Sequence, residues 1–569
     1  MKTRLLALLG CLLLLGSAAA GSPLTKLLQA RGPELMRQAK ATTREPRSVY
    51  IQFVDLLAGE LVKSGDREGA ARIRGGLMDP YLQNFPRTEF AWITHTFARE
   101  FYRDSVAAHT AALIRFKTFA TSIPNRENPE FVKQKQYLRD LAENLGLNFK
   151  DVGGYVHEIW IGEGPETFGV VCHGDVQPVD PAEWKIDPWS GLVSEGKIWG
   201  RGSVNGKGPI VAVMYGMKAM LDSGLPIRKK VMLLIGTDEE SANEDMTNYL
   251  KTRSAPDTAI VVDSKYPVIS AEKGWGGVWL HVRRFKEPPV GSGLLVADLY
   301  SGYTPSIIPE KATAKIVSIG GSILNAKDVV TAKYEVFRER RPKANFSITV
   351  AGDTLFVTAR GKSVHSSEPQ KGYNALTDLL VFVDRDLQPL RNDISIMAKF
   401  VANNIGFQMD GRTLGIAHHD PFMGDLTVAP AIFSVTDTTV MFMFNFRIPR
   451  GISREKIQAK FADRFGRFVK KHNIEMFDHR WIADPTYHDP KGEFVQRLVR
   501  IYNSVTGEKR KPQAISIGTY AHRLPNAVVF GPGLPNDTYL AHEPDESILL
   551  STLMRNVEIL TNTMVEFGL

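Results

Sequence analysis

The chain has 569 residues, of which 43% are hydrophobic, 23% charged and 9% aromatic, the composition of an ordinary globular protein. That excludes a disordered, collagen-like or disulfide-scaffold chain and leaves ample length for a large core. The formal charge of +8 is a weak bias over this length, and no basic run with interleaved aromatics accompanies it, so nucleic acid is not an expected partner.

Residues 1–20 read as a secretory signal. Lys2 and Arg4 supply the positive start, Leu5 to Leu15 the apolar run, and Ala18-Ala19-Ala20 a small-residue cleavage site before Gly21. The apolar run is too short to span a bilayer comfortably. It continues past Cys11, which argues against a lipoprotein site. The expectation is a soluble exported protein, periplasmic or secreted, with no membrane span in its mature chain. Cys11 would leave with the signal, so Cys172 stands alone and no internal disulfide forms. Ending an apolar run, Cys172 reads as a buried strand residue rather than a nucleophile or ligand.

Residues 21–96 read as a helical N-terminal extension, a docking surface or part of the core. Ser48 is placed to cap a helix whose Tyr50, Phe53, Val54, Leu57 and Leu61 share one face. A helical pattern over 132–145 stops at Gly146, and a second helix runs from near Pro209 to Gly224. Short apolar runs recur at Phe168 to Cys172, Val231 to Ile235 and Ala259 to Val262. Buried runs separated by helices predict an α/β catalytic domain with a largely parallel sheet over 97–275. It resumes over 489–569 with a run at Ala527 to Phe530 and a closing amphipathic helix from about Asp545. Between the two parts, residues 276–488 carry alternating strands such as Ala344 to Val350 and Val440 to Phe446. They predict an inserted α+β lid domain.

Each of the three apolar runs ends on acidic or imidazole residues: His173-Gly174-Asp175, Asp238-Glu239-Glu240, and Asp263. In an open α/β sheet the carboxyl ends of the strands form the ligand crevice, so these groups converge. His, Glu and Asp without thiolates suit a catalytic zinc-type site rather than a structural one. Residues i and i+2 of a strand end point the same way, so the Asp175 carboxylate is expected on the second ring nitrogen of His173, fixing its tautomer. Glu239-Glu240, directly after a buried strand, reads as a general base beside a ligand.

These residues, in this order, resemble family twenty of the metallopeptidases, which includes aminoacylases, acetylornithine deacetylases and carnosinase- and PepV-type dipeptidases. Further matching pieces are Gly200-Arg201-Gly202 with Lys207-Gly208, Asp263-Ser264-Lys265-Tyr266-Pro267, Glu272-Lys273-Gly274, and Gly361 to Asn374 around His365. Gly518-Thr519-Tyr520-Ala521 and His542-Glu543-Pro544-Asp545-Glu546 complete the series. The resemblance covers roughly residues 97–569 and is nearest to the PepV-type dipeptidases, because of Gly518 to Ala521 and the long insertion.

The resemblance implies a discontinuous di-zinc peptidase-type domain with an inserted lid. It places one metal on His173 and Asp263 and a second on Glu240 and His542, with the Asn205 position bridging them. Glu239 becomes the general base, Asp175 joins it among the catalytic residues through the His173 ring, and His365 is the residue that reaches across the cleft to stabilise the oxyanion. The metals would be zinc, though cobalt or manganese accept the same ligands. The substrate would be a dipeptide or similar small N-acyl amino acid, lined by Gly518, Thr519 and Tyr520. Arg447 either faces the substrate carboxylate or is a structural arginine after a strand. The long lid resembles the monomeric branch of the family, which points to a monomer.

Two departures stand out. The family motif places a bridging Asp where this chain has Asn205, in Gly200-Arg201-Gly202-Ser203-Val204-Asn205-Gly206-Lys207-Gly208. Two dications at bridging distance repel by about 17–19 kcal/mol at an effective dielectric of 20, so losing a shared anion weakens one ion. The site then works with one tight metal or a hydroxide bridge, or the chain is a catalytically weakened homologue that binds peptides or amino acids. Alternatively, Asn205-Gly206 deamidates to Asp. The second departure is His522 where relatives carry a carboxylate-binding Arg, with Arg523 one step on; His is neither forked nor reliably charged. His418-His419-Asp420 reads as surface or packing, His479 and His488 are unassigned, and Asn345 and Asn536 head glycosylation tripeptides.

Overall fold

The computed structural model describes residues 21–285, 289–472 and 474–569. The expected signal segment lies outside the described residues, as does the side chain of His479. The chain forms two compact units: residues up to Ser270 with His488–Gln513 and Thr519–Leu569, and Ala271–Tyr487 with Ala514–Gly518.

The first unit is built on a mixed sheet. Its strands β1 (Asn148–Val152), β2 (Val156–Ile161), β3 (Thr167–His173), β4 (Lys230–Gly236) and β5 (Thr258–Val261) lie in the order β1-β2-β4-β3-β5, followed by Ala527–Val529 and Ile269–Glu272. The four central strands, β4, β3, β5 and Ala527–Val529, run parallel, and the flanking ones antiparallel. Parallel strands are covered on both faces, which is why Phe168 to Cys172 reads as an unbroken apolar run. Cys172 is fully buried there, as expected of a strand residue.

The helices α1 (Pro23–Thr42), α2 (Pro46–Lys63), α3 (Arg67–Met78), α4 (Arg87–Phe101) and α5 (Arg103–Ile114) belong to this same unit. Phe53, Phe90 and Phe97 share one core with Phe168 and Leu560, so residues 21–96 are part of the core and not a docking surface alone. Polar contacts join α4 to the closing helix Leu550–Gly568: Asn562 donates to His95 at 3.0 Å and Arg99 pairs with Glu558 at 2.5 Å. Helix α2 begins earlier than expected. Pro46 opens it and the Glu45 carboxylate accepts the N–H groups of Arg47 and Ser48, so Ser48 lies inside the helix. The closing helix begins at Leu550 rather than near Asp545, whose left-handed backbone (φ 57°) interrupts any helix there. Helices α6 (Pro129–Asn144) and α7 (Lys207–Ser223) end at Gly146 and Gly224, both left-handed as helix-stopping glycines usually are.

The second unit carries an antiparallel sheet of β6 (Gly274–Arg283), β7 (Gly293–Ser301), β8 (Lys311–Ile319), β9 (Asn345–Ala351), β10 (Thr354–Arg360), β11 (Thr427–Val435), β12 (Thr439–Ile448) and β13 (Ile474–Ala483), in the order β9-β10-β8-β7-β11-β12-β6-β13. Its strands alternate: Ala312, Ala314 and Ile316 of β8 and Leu355, Val357 and Ala359 of β10 are buried. They pack with Val330 and Phe337 of Ile323–Arg340, Leu379 of Ala375–Phe382 and Phe400 of Asp393–Asn404 in a separate core. Among the described residues no helix is long and apolar enough to cross a membrane.

Candidate metal centre

Three strand ends of the first unit deliver the candidate ligands. His173 is the last residue of β3, the Asp238-Glu239-Glu240 turn follows β4, and Asp263 follows β5. Because these strands are parallel neighbours, their carboxyl ends share one edge of the sheet. Donor atoms of His173, Glu239 and Glu240 all lie within 4.8 Å of one another. Asp263 brings its Oδ1 to 3.4 Å from His173 Nε2. His542 arrives on a distant loop, its backbone left-handed (φ 69°), and its Nε2 stands 2.7 Å from Glu240 Oε1.

Asn205 lies between these two histidine–carboxylate pairs. Its Oδ1 is 3.3 Å from His173 Nε2, while its Nδ2 donates to Glu240 Oε1 at 2.7 Å and lies 2.9 Å from His542 Nε2. Gly206 makes this approach possible. It holds φ at 109°, and a Cβ there would fall 2.5 Å from the His173 carbonyl oxygen.

Three acids that are not ligands hold the loops. Asp175 was expected on the His173 ring through its carboxylate. The ring Nδ1 is instead 2.9 Å from the Asp175 carbonyl oxygen, with the carboxylate Oδ1 at 3.5 Å. The carboxylate is occupied by the N–H groups of Glu239 (3.2 Å) and Glu240 (2.9 Å), so it ties the acidic turn to the end of β3. The backbone carbonyl does what the side chain was expected to do, leaving Nε2 free to ligate. Asp245 accepts the N–H groups of Thr237 (2.7 Å) and Asp238 (2.8 Å), and the Tyr520 hydroxyl donates to the same oxygen. Glu546 is fully buried and accepts from the N–H groups of Gly202, Val204 and Asn205 at 3.0, 3.0 and 3.2 Å. Its other oxygen pairs with Arg201 at 2.7 Å, and Arg201 also donates to the His542 carbonyl at 3.2 Å. Glu546 and Arg201 therefore join the loop bearing Asn205 to the loop bearing His542. Gln177 donates to Glu240 Oε2 at 3.0 Å. Glu546 lay inside a motif quoted for His542, whereas Gln177 and Asp245 carried no local signal.

The electrostatics are those of crowded acids and imidazoles. Burial and the charges of Asp263 and Glu240 push Glu239 well above the usual carboxylate range. Burial also raises Glu240, but the His542 hydrogen bond and charge outweigh it and bring the group down to about 2. Burial lowers His173, yet Asp263 and Asp175 lift it well above its ordinary value, and Glu240 likewise lifts His542 against burial. Two histidine–carboxylate pairs, one ring held by a carbonyl so that Nε2 faces inward, make a donor set that fits a zinc-type cation. A cation held there would offset the push on Glu239 with its positive charge.

The remaining sequence candidates divide between the units. Thr519, Tyr520 and His522 sit in the first, where Tyr520 is fully buried and the Thr519 hydroxyl accepts the Ala521 N–H at 3.1 Å. Gly518 belongs to the second, as do His365 and Arg447. His365 Nδ1 accepts the Ser367 N–H at 3.2 Å and has the Ser367 hydroxyl at 2.6 Å. Arg447 is buried on β12 with its guanidinium carbon 5.1 Å from the Trp275 ring centre, and burial lowers it to about 10. His419 forms an exposed pair with Asp425 at 2.8 Å, and His418 lies 2.9 Å from the Arg450 carbonyl oxygen, so that pair of histidines engages its own neighbourhood.

Residues 169–566 match the model of peptidase family M20/M25/M40. A protein of Staphylococcus aureus (strain bovine RF122 / ET3-1) named "Putative dipeptidase" is 30% identical over 431 residues, 75% of this chain and 88% of its own length. A protein of the same name from strain USA300 matches with the same identity and coverage. Among solved structures, human carnosine dipeptidase 1 is similar in fold, with a TM-score of 0.50, 13% identity, and coverage of 84% of this chain and 99% of that one.

Proposed function

The chain belongs to peptidase family M20/M25/M40 and is a metal-dependent hydrolase of its dipeptidase branch; from that premise we propose an exported enzyme that cleaves the amide bond of dipeptides or similar small N-acyl amino acids. The observation that carries this reading is the pair of histidine–carboxylate sets flanking Asn205, with Glu239 beside them. His173, Asp263, Glu240 and His542 would hold the metal, which when bound polarises the amide carbonyl and acidifies water. Glu239, a carboxyl poised in a dry and acidic surround, takes the proton of the attacking water and passes it to the leaving amine. The resemblance assigns His365 to the developing oxyanion, and its Nδ1 accepts the Ser367 N–H.

Arg447 supports recognition of a substrate carboxylate. It is a buried guanidinium whose Nε has no hydrogen-bond partner among the described residues, and both amide atoms of Asn445, two positions before it on β12, are likewise unmatched. The oxygens of a carboxylate would accept from the Arg447 Nε–H and the Asn445 NH₂ group. Export rests on the pattern of Lys2, Arg4, Leu5 to Leu15 and Ala18 to Ala20, and the amino-terminal residue of the protein recovered outside the cytoplasm checks it; a mature chain that retains residues 1–20 rejects it.

Hydrolysis of a dipeptide panel by the metal-loaded chain, with Glu239→Gln beside it, tests the reading. Turnover that falls by about 10²–10⁴-fold in the variant, with folding unchanged, supports it. A second reading, a homologue that binds peptides or amino acids without cleaving them, is favoured by one observation: the Asn205 amide donates to Glu240, a candidate ligand. Binding of dipeptides without turnover would select that reading.

A further inference from the structure

A carboxamide has one oxygen and one NH₂ group, and only the oxygen has a lone pair to give a cation. In this chain each end of the Asn205 amide meets a different histidine–carboxylate pair. Oδ1 faces His173, whose Nε2 is 3.3 Å away and 3.4 Å from Asp263 Oδ1. Nδ2 faces the other pair, donating to Glu240 Oε1 at 2.7 Å and lying 2.9 Å from His542 Nε2. Turning the amide over exchanges the two ends and still leaves one pair facing N–H groups. The side chain is not free to withdraw, because the Asn205 N–H is bound to Glu546 and the following Gly206 is packed against the His173 carbonyl.

The two sides differ in other ways that point the same direction. His173 is fully buried and the Asp263 side chain is 9% exposed, whereas His542 is 48% exposed. Glu240 accepts from Gln177 at Oε2 and from the Asn205 amide at Oε1, so each of its oxygens already has a donor where a second ion would bind. On the first side nitrogen, carboxylate oxygen and amide oxygen face one another; on the second a carboxylate and an imidazole share a bound NH₂.

We infer that Asn205 splits this centre into unequal halves, so that the chain holds one divalent ion tightly, on His173, Asp263 and the Asn205 oxygen, while the Glu240–His542 pair holds a second only weakly. The inference rests on the metal-hydrolase reading of the site but concerns how many ions the site keeps and where. An Asp at this position would have two equivalent oxygens, one for each side, and would add the negative charge that two dications share.

The test is metal stoichiometry, read without reference to turnover. The full chain is stripped with a chelator, titrated with Zn²⁺ by calorimetry, and analysed for retained zinc after exhaustive dialysis. One retained equivalent is expected, with a second binding about 100-fold or more weakly because no shared anion offsets the repulsion of the ions. Asn205→Asp, nearly identical in shape, is expected to retain two. His173→Ala should lose the tight ion and His542→Ala should keep it, with circular dichroism melts showing that each variant is folded. Two equally tight ions in the natural chain, a single ion in Asn205→Asp, or loss of the tight ion in folded His542→Ala but not in His173→Ala overturns the inference. So does peptide mass analysis that finds Asp at position 205. One tight ion with no hydrolysis of any dipeptide leaves the inference standing and rejects the dipeptidase reading; two tight ions with turnover do the reverse.

Discussion

The polar centres of the two units are built on opposite plans. Around the candidate metal ligands of the first unit, the supporting acids are saturated: Asp175 and Asp245 each accept two N–H groups through the acidic turn, and Glu546 accepts three and pairs with Arg201. On β12 of the second unit, Arg447 Nε, both amide atoms of Asn445 and the hydroxyl of Thr427, opposite Arg447 on β11, have no hydrogen-bond partner among the described residues. A buried acid answered by backbone N–H groups has its interactions completed at folding and fixes the geometry of what surrounds it. A buried guanidinium Nε and a buried amide without hydrogen-bond partners among the described residues call for an explanation that folding alone does not supply. The first arrangement makes a scaffold; the second suits the proposed recognition of a substrate carboxylate.

The largest effect should come from breaking the scaffold. Glu546→Ala strands the buried Arg201 charge and three N–H groups, and should lower unfolding free energy by about 3–5 kcal/mol, measured by urea denaturation of the metal-free chain. A loss below 1 kcal/mol would mean that the network is not load-sharing in the way described.

Asp245 sharpens the same side of the comparison through pH. Burial, opposed by the Tyr520 hydroxyl and the backbone N–H groups, raises its carboxyl from 3.8 to about 7. The folded chain therefore holds this proton where the unfolded chain has already released it. Its contribution to stability is fully present below about pH 4 and is lost as pH rises to about 7, a decline of up to about 4 kcal/mol. Denaturation midpoints of metal-free protein between pH 4 and 8 should show the decline, and Asp245→Asn should flatten it. An unchanged slope in the variant assigns the dependence elsewhere.

The smallest effect on stability should fall on the second arrangement. Arg447→Met removes a buried charge that has no acid paired with it among the described residues, so stability should change by less than about 1 kcal/mol or increase. KM for substrates with a free carboxylate should instead rise about 10–100-fold, the value of a charged hydrogen-bonded contact. Substrates amidated at that end should show no such change. Marked destabilisation with an unaltered KM would make Arg447 a structural residue and erase the contrast between the units.

Much of the site was readable in the chain. The runs ending at His173, at Asp238-Glu239-Glu240 and at Asp263 became parallel strands because continuous apolar segments of that length can be buried on both faces. What escaped the reading was mostly non-local. The partner of the His173 ring is a carbonyl, which every residue has, so no side-chain pattern marks it. Asp245, in the short helix Glu244–Tyr249, and Gln177 look like ordinary polar residues of a loop and a short helix until the fold brings them against Thr237 and Glu240. Residues 21–96 show amphipathic helices whose apolar faces could meet anything; Phe53, Phe90 and Phe97 meet the core of the first unit.

By itself the sequence determined which kinds of side chain stand at the strand ends, and that an amide, not a carboxylate, occupies position 205. Those are matters of covalent identity and of local periodicity. Only the tertiary structure decided which pair each end of that amide faces, because Asn205 meets Glu240 and His542 across 35 and 337 residues of chain. No local pattern encodes such a contact. It follows from the packing of parallel strands, the Glu546–Arg201 tie and the left-handed turn at Gly206, which together bring one oxygen to one pair and one NH₂ group to the other.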